Sequence, residues 1–141
     1  MNAPDTTAHE SGALEALTGY YRAFSTLDVQ ALKPYFNEPA LLIGPQGVIA
    51  APNFACVAGV LGPAMEGLRS KEFGRSELSV GRVDPLSANS TLVTGVAIRY
   101  RRDEQEMENV GVTYVMHKAQ AGWKIAVLIL HDPQGVTRSK T

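Results

Sequence analysis

The sequence predicts an α+β fold, with helices kept to one side of an antiparallel sheet. Apolar residues recur at helical spacing in the first half of the chain, up to about residue 68. From Glu72 onward the spacing becomes that of strands, in four long segments. The links between those segments are too short for crossovers, so neighbouring strands run antiparallel.

The elements follow in order. Residues 1–6 read as a loose end, and Thr7 and Glu10 have the spacing of a capping box that starts a helix. Leu14, Leu17, Tyr21 and Phe24 then share one helical face, with Tyr20 at its border. Asp28 is the expected N-cap of a second, short helix carrying Val29 and Leu32, which Pro34 bends or ends. "ALLIG" reads as a strand, "PQG" as a turn and "VIAA" as a second strand. Pro52 fits the first turn of another helix, whose buried face holds Phe54, Val57, Leu61, Met65 and Leu68. "GP" at residues 62–63 is expected to break that helix into two segments.

Four strands follow: "EFGRSELSVGRV", "STLVTGVAIRYRR", "EMENVGVTYVMHK" and "GWKIAVLILHD". The links between them are "DPLSAN", "RDEQ" and "AQAG". Strict alternation puts Trp123, Ile125, Val127 and Ile129 on one face of the last strand, and Ala126, Leu128 and Leu130 on the other. A sheet with one wet face alternates apolar and polar residues, and this strand does not. The helices cover one face; a second copy of the chain, or the C-terminal tail, covers the other. The first case makes the protein a homodimer through its sheet.

Length and charge narrow the function classes. The 141 residues suggest one domain with its own core, ordered over about residues 8–133, and a loose tail at 134–141. A net charge of −1 gives no electrostatic footprint for nucleic acid. The lone Cys56 excludes an intrachain disulfide and a multi-cysteine zinc site. His9, His117 and His131 lack ligand spacing, so no metal is expected; no phosphate loop is present, so no cofactor is expected either. There is no signal-like N-terminus and no apolar run that would span a membrane, which points to the cytoplasm.

Three stretches together resemble the nuclear transport factor 2-like superfamily, which includes SnoaL-like cyclases and ketosteroid isomerases. They are "YYRAFSTLDVQALKPYF", "PALLIGPQG" and "GWKIAVLILHD", in an order that covers residues 13–132. The resemblance implies a cystatin-like cone: a curved sheet wrapped round the first helix, with a pocket at its wide end. Function does not follow from that fold. Ketosteroid isomerase needs a carboxylate base and an oxyanion hole made by a tyrosine and a neutral acid. The resemblance places Tyr20 at the tyrosine, Gly44 at the base and Thr113 at the second acid. Glycine accepts no proton, and "LLIGPQ" contains no acid on either side, so two-acid steroid isomerisation is excluded.

If Thr113 faces the pocket, then Asn109, Gly111, Val115 and His117 face it too, and Tyr114 and Met116 point to the dimer face. His117 then reads as a general base partnered by Tyr20, or as a surface histidine at a strand end. Tyr20 and Phe24 line the pocket or simply pack in the core. Cys56 is a pocket residue or a small buried hydrophobe. Arg99 holds a ligand carboxylate or sits at the sheet rim. His131 and Asp132, as strand neighbours, read as a turn into Pro133 rather than a dyad. Two functions follow. One is binding of a small organic ligand in an apolar pocket, with or without cofactor-free acid/base chemistry such as isomerisation, cyclisation or dehydration. The other is a non-catalytic interaction module with a closed pocket.

Overall fold

A computed structural model describes the chain over residues 3–135, with side chains from residue 11 to residue 134. Helix α1 (Ala3–Phe24) leads into a 3-10 helix (Val29–Tyr35), strand β1 (Phe36–Gly44) and strand β2 (Gly47–Ala51). Helix α2 (Phe54–Arg69) follows, then β3 (Phe73–Ser87), β4 (Ser90–Arg101), β5 (Glu106–Ala119) and β6 (Gly122–His131). A short 3-10 turn, Pro133–Gly135, closes the described part. The Thr7–Glu10 capping box lies outside the described side chains, and most of the two ends expected to be loose lies outside the described residues. The backbone helix begins at Ala3, ahead of Thr7.

The six strands form one curved sheet in the order β2-β1-β6-β5-β4-β3. All neighbours are antiparallel except β1 and β6, which run parallel because the chain crosses the whole sheet between them. The register shifts in β3–β4, in β4–β5 and between Val115 and Met116 in β5–β6. Such bulges bend strands, and here the bends curl the sheet over α1. Helix α1 packs on β3, β4 and β6, while α2 packs on β1 and β2. Ser25, just past α1, fixes the helix end: its Oγ accepts from the Ser76 N–H of β3 at 3.0 Å. Gly12 and Gly19 let neighbours sit close. A Cβ on Gly12 would come within 2.5 Å of the Trp123 indole, and one on Gly19 within 2.8 Å of the Tyr35 ring.

Several local expectations are met. Asp28 caps the 3-10 helix by accepting from Gln30 N–H at 3.1 Å, and Leu32 is buried inside it. Three others need correction. Pro52 lies ahead of α2 rather than in its first turn: Asn53 is the cap, accepting from Cys56 N–H at 3.2 Å, and the Glu38 carboxylate accepts from Phe54 N–H at 2.6 Å. Pro63 does not divide α2: the helix runs on through it, with buried Phe54, Val57 and Leu61 before it and Met65 and Leu68 after it. Burial of that stripe outweighs the one backbone hydrogen bond a proline removes. Finally, residues 84–87 belong to β3 rather than to a loop. β3 is an edge strand, where a proline such as Pro85 costs no ladder bond on the solvent side.

Candidate functional site

The inner face of the sheet sets the site. In β5, Val112, Tyr114 and Met116 are buried, whereas Thr113, Val115 and His117 between them are half-buried. Their cross-strand partners agree. Tyr114 lies opposite Val93 and Leu128, both buried, and Thr113 lies opposite Thr94 and Ile129, both half-buried. The row containing Tyr114 therefore looks into the cone. This corrects the expected register by one residue, which turns every side chain over. Thr113 and His117 lie on the outer face; Tyr114 and Met116 do not face a dimer partner.

The last strand needs the same correction. Val115 pairs with Val127 and Met116 with Ile125, so Ala126 is an extra residue in a bulge. The alternation changes sides there. Ile125 and Leu128 are both buried, and Leu130 packs against the same core, while Val127 and Ile129 face outward.

Inside the cone, Tyr20, Tyr21, Phe24, Arg99, Val112 and Tyr114 line a recess of about 60 Å³, with Leu61, Ala64, Leu128 and Leu130 at its edge. The tyrosines stack edge to face. The Tyr20 ring lies 5.4 Å from that of Tyr21, 6.1 Å from that of Tyr114 and 5.6 Å from that of Phe36. The Tyr21 and Tyr114 hydroxyls are 2.6 Å apart and share a hydrogen bond. Tyr20 is 4% exposed, and its hydroxyl has no hydrogen-bond partner among the described residues. Arg99 reaches the recess from β4, its guanidinium 5.6 Å from the centre of the Phe24 ring. Arg99 Nη1 donates to Glu108 at 2.6 Å, and its buried Nε has no partner among the described residues.

Burial pushes all three phenols far above their ordinary range. For Tyr20 and Tyr114 neighbouring tyrosine adds to this, and for all three Arg99 opposes it. The recess therefore offers neutral O–H donors and a cation. No carboxylate or imidazole is among its lining residues.

Beside the recess lies a larger apolar groove of about 510 Å³, between the β1–β2 hairpin, α2 and the end of β6. Leu61, Ala64, Leu128 and Leu130 line both spaces. Gly44 stands in the groove wall, and a Cβ placed there would meet nothing within 4 Å. The position where the family resemblance put a base is thus open space beside a bare backbone.

Of the sequence candidates, Tyr20, Phe24 and Arg99 come together in the recess. Cys56 does not; it is exposed on α2, outside the buried stripe. Thr113 instead meets His131 on the outer face, Oγ1 to Nε2 at 2.9 Å. The His131 Nδ1 lies 3.1 Å from the Asp132 carbonyl, which only accepts, so Nδ1 carries a hydrogen. Asp132 Oδ1 accepts from Gln134 N–H at 2.9 Å, making the expected turn into Pro133. Tyr21 and Tyr114 are the lining residues that sequence reasoning assigned elsewhere. Among the described residues no group of three or more His, Cys, Asp or Glu is placed to hold a metal, and no helix is long and apolar enough to cross a membrane.

This is a cone-shaped α+β protein with a recess at the heart of the cone. The chain belongs to the family described as NTF2-like protein (DUF6841), which it matches over residues 9–133. Solved structures share the fold. A domain of unknown function with a cystatin-like fold from Nostoc punctiforme is 19% identical, with 100% of this chain and 81% of that chain covered, at a TM-score of 0.68. An NTF2-like protein with a cystatin-like fold from Novosphingobium aromaticivorans is 13% identical, covering 92% and 85%, at 0.74. A ketosteroid isomerase-like protein from Erwinia carotovora is 15% identical, covering 89% and 98%, at 0.58. No curated protein sequence matches the chain.

Proposed function

We propose that the protein binds a small organic molecule in the cone, its apolar body in the groove and a hydrogen-bond acceptor in the tyrosine recess. One observation carries this reading: Tyr20, its hydroxyl without a partner among the described residues, lines a recess that shares four residues with an apolar groove of about 510 Å³. A ligand acceptor would give that hydroxyl a hydrogen bond, worth about 0.5–1.5 kcal/mol. Small-molecule sites have this composition, mostly apolar with a few convergent polar groups. Val48 and Ile49 at the groove's edge are 64% and 42% exposed, apolar surface that a ligand would cover.

The reading is binding rather than proton transfer. His117 lies on the outer face, away from the recess, and the phenols there keep their protons near neutral pH and so offer no base. The test is titration with 1-anilinonaphthalene-8-sulfonate, whose fluorescence rises in apolar surroundings. Wild type is expected to bind one probe per chain, and Ala64→Trp, which fills the junction of groove and recess, to lose at least tenfold in affinity. Equal affinity in both proteins would refute the reading.

The outer face supports a homodimer. Val115, Val127, Ile129, Leu92 and Ile43 form a half-buried apolar stripe across four adjacent strands. A two-fold dimer sets such a stripe against itself. Sedimentation equilibrium is expected to give a dimer for wild type and a monomer for Val127→Arg. A monomeric wild type would refute this part.

A further inference from the structure

We propose that the ligand is a carboxylate, and that Glu108 holds its place on Arg99 until it arrives. The inference rests on the binding reading above and adds the chemical class of the ligand. Three observations lead to it. Arg99 lies among apolar and phenolic side chains, yet only its Nη1 is engaged, by Glu108 at 2.6 Å. Its Nε is buried and unpartnered among the described residues, and a buried donor on a charged group is expensive to leave unmade. The Tyr20 hydroxyl is a second donor in the same recess, without a partner among the described residues.

A guanidinium with an idle Nε and a phenol without an acceptor, in a recess whose lining includes no anion, describe a receptor for one planar oxyanion. A neutral carbonyl would satisfy one of the two donors. A carboxylate has two oxygens and satisfies both, and it adds charge where Arg99 is poorly solvated. Phosphate suits the site less well, because it brings a further charged oxygen into the apolar wall of Val112 and Leu128.

Glu108 fits the role of placeholder by its exposure. Its side chain is 39% exposed and that of Arg99 is 18% exposed, so Glu108 swings into water at little cost while Arg99 stays. The pair is a cross-strand neighbour contact between β4 and β5, at the mouth of the cone rather than within the core. An incoming carboxylate exchanges one charge-assisted bond for another and gains the two idle donors.

The test uses 4-phenylbutyrate and its neutral counterpart 4-phenylbutanamide, measured by calorimetry on the full chain. Wild type is expected to bind the acid at least tenfold more tightly than the amide. Glu108→Gln, at an exposed position, removes the charged competitor and is expected to tighten acid binding severalfold and to raise the ratio of acid to amide affinity. Arg99→Gln is expected to erase the preference for the acid. Equal binding of acid and amide to wild type, or an acid affinity unchanged in Glu108→Gln, overturns the carboxylate assignment and leaves the pocket reading standing. Binding of neither probe overturns both.

Discussion

The hydroxyls of Tyr21 and Tyr114, 93 residues apart in the chain, meet at 2.6 Å inside the cone. One comes from α1 and the other from β5, so this bond joins the two layers of the fold at the floor of the recess. Replacing either tyrosine by phenylalanine leaves the other hydroxyl buried without its partner. Each single variant is expected to lose about 1–3 kcal/mol in urea denaturation. The double variant removes both polar groups together and is expected to lose less than the two singles combined, by at least about 0.5 kcal/mol. Additive losses would mean that the two hydroxyls do not depend on each other.

Alkaline pH acts on the same cluster. Burial raises the pKa of Tyr20, Tyr21 and Tyr114 above the unfolded value of about 10. Below that pH both states hold these protons, and the phenols' contribution to stability is fully present. Above it the unfolded state loses protons that the folded state keeps, so stability falls by up to about 1.4 kcal/mol per pH unit for each of them. Denaturation midpoints measured from pH 8 to pH 11 are expected to hold steady and then drop steeply beyond 10. Absorbance at 295 nm should show three of the five tyrosines titrating only with unfolding.

Gly12 reports on how closely α1 lies against β6. A Cβ there would stand 2.5 Å from Trp123 Nε1 and 2.7 Å from Trp123 Cδ1, atoms near the stem of the indole that cannot easily swing aside. Gly12→Ala is expected to destabilise by about 1–3 kcal/mol despite alanine's better helix propensity. Trp123 is the chain's one tryptophan, so a red-shifted emission maximum should accompany the loss.

The layers of this fold and the meander of its last four strands are legible in the sequence because their signals are local; the parallel pairing of β1 with β6, which makes the sheet mixed, is not. The change from helical to strand spacing at Glu72, the Asp28 cap and the short links of the meander all appear in the structure. The facing of β5 is not legible in the same way. Val110, Val112, Tyr114 and Met116 form one apolar row, but Val115 with Thr113 between its polar neighbours gives the other row enough apolar character to compete. A period of two does not choose between two such rows. The bulge at Ala126 then defeats strict alternation in β6, because nothing local marks one extra residue in a run of six apolar ones, Ile125 to Leu130. The signal that would have helped is size: the bulkiest row of β5, with its tyrosine and methionine, is the row that fills the cone. Tyr20, Phe24 and Arg99, which the sequence left between pocket and core or rim, all line the recess.

The central claim is that the cone's interior, and not the outer sheet face, receives a small molecule. Methyl-resolved NMR during titration with 4-phenylbutyrate tests it most directly. The account predicts saturable shifts for Leu61, Leu128 and Leu130, with Leu92, Val115 and Val127 unmoved. Shifts confined to Leu92, Val115 and Val127 would place binding on the outer face and contradict it.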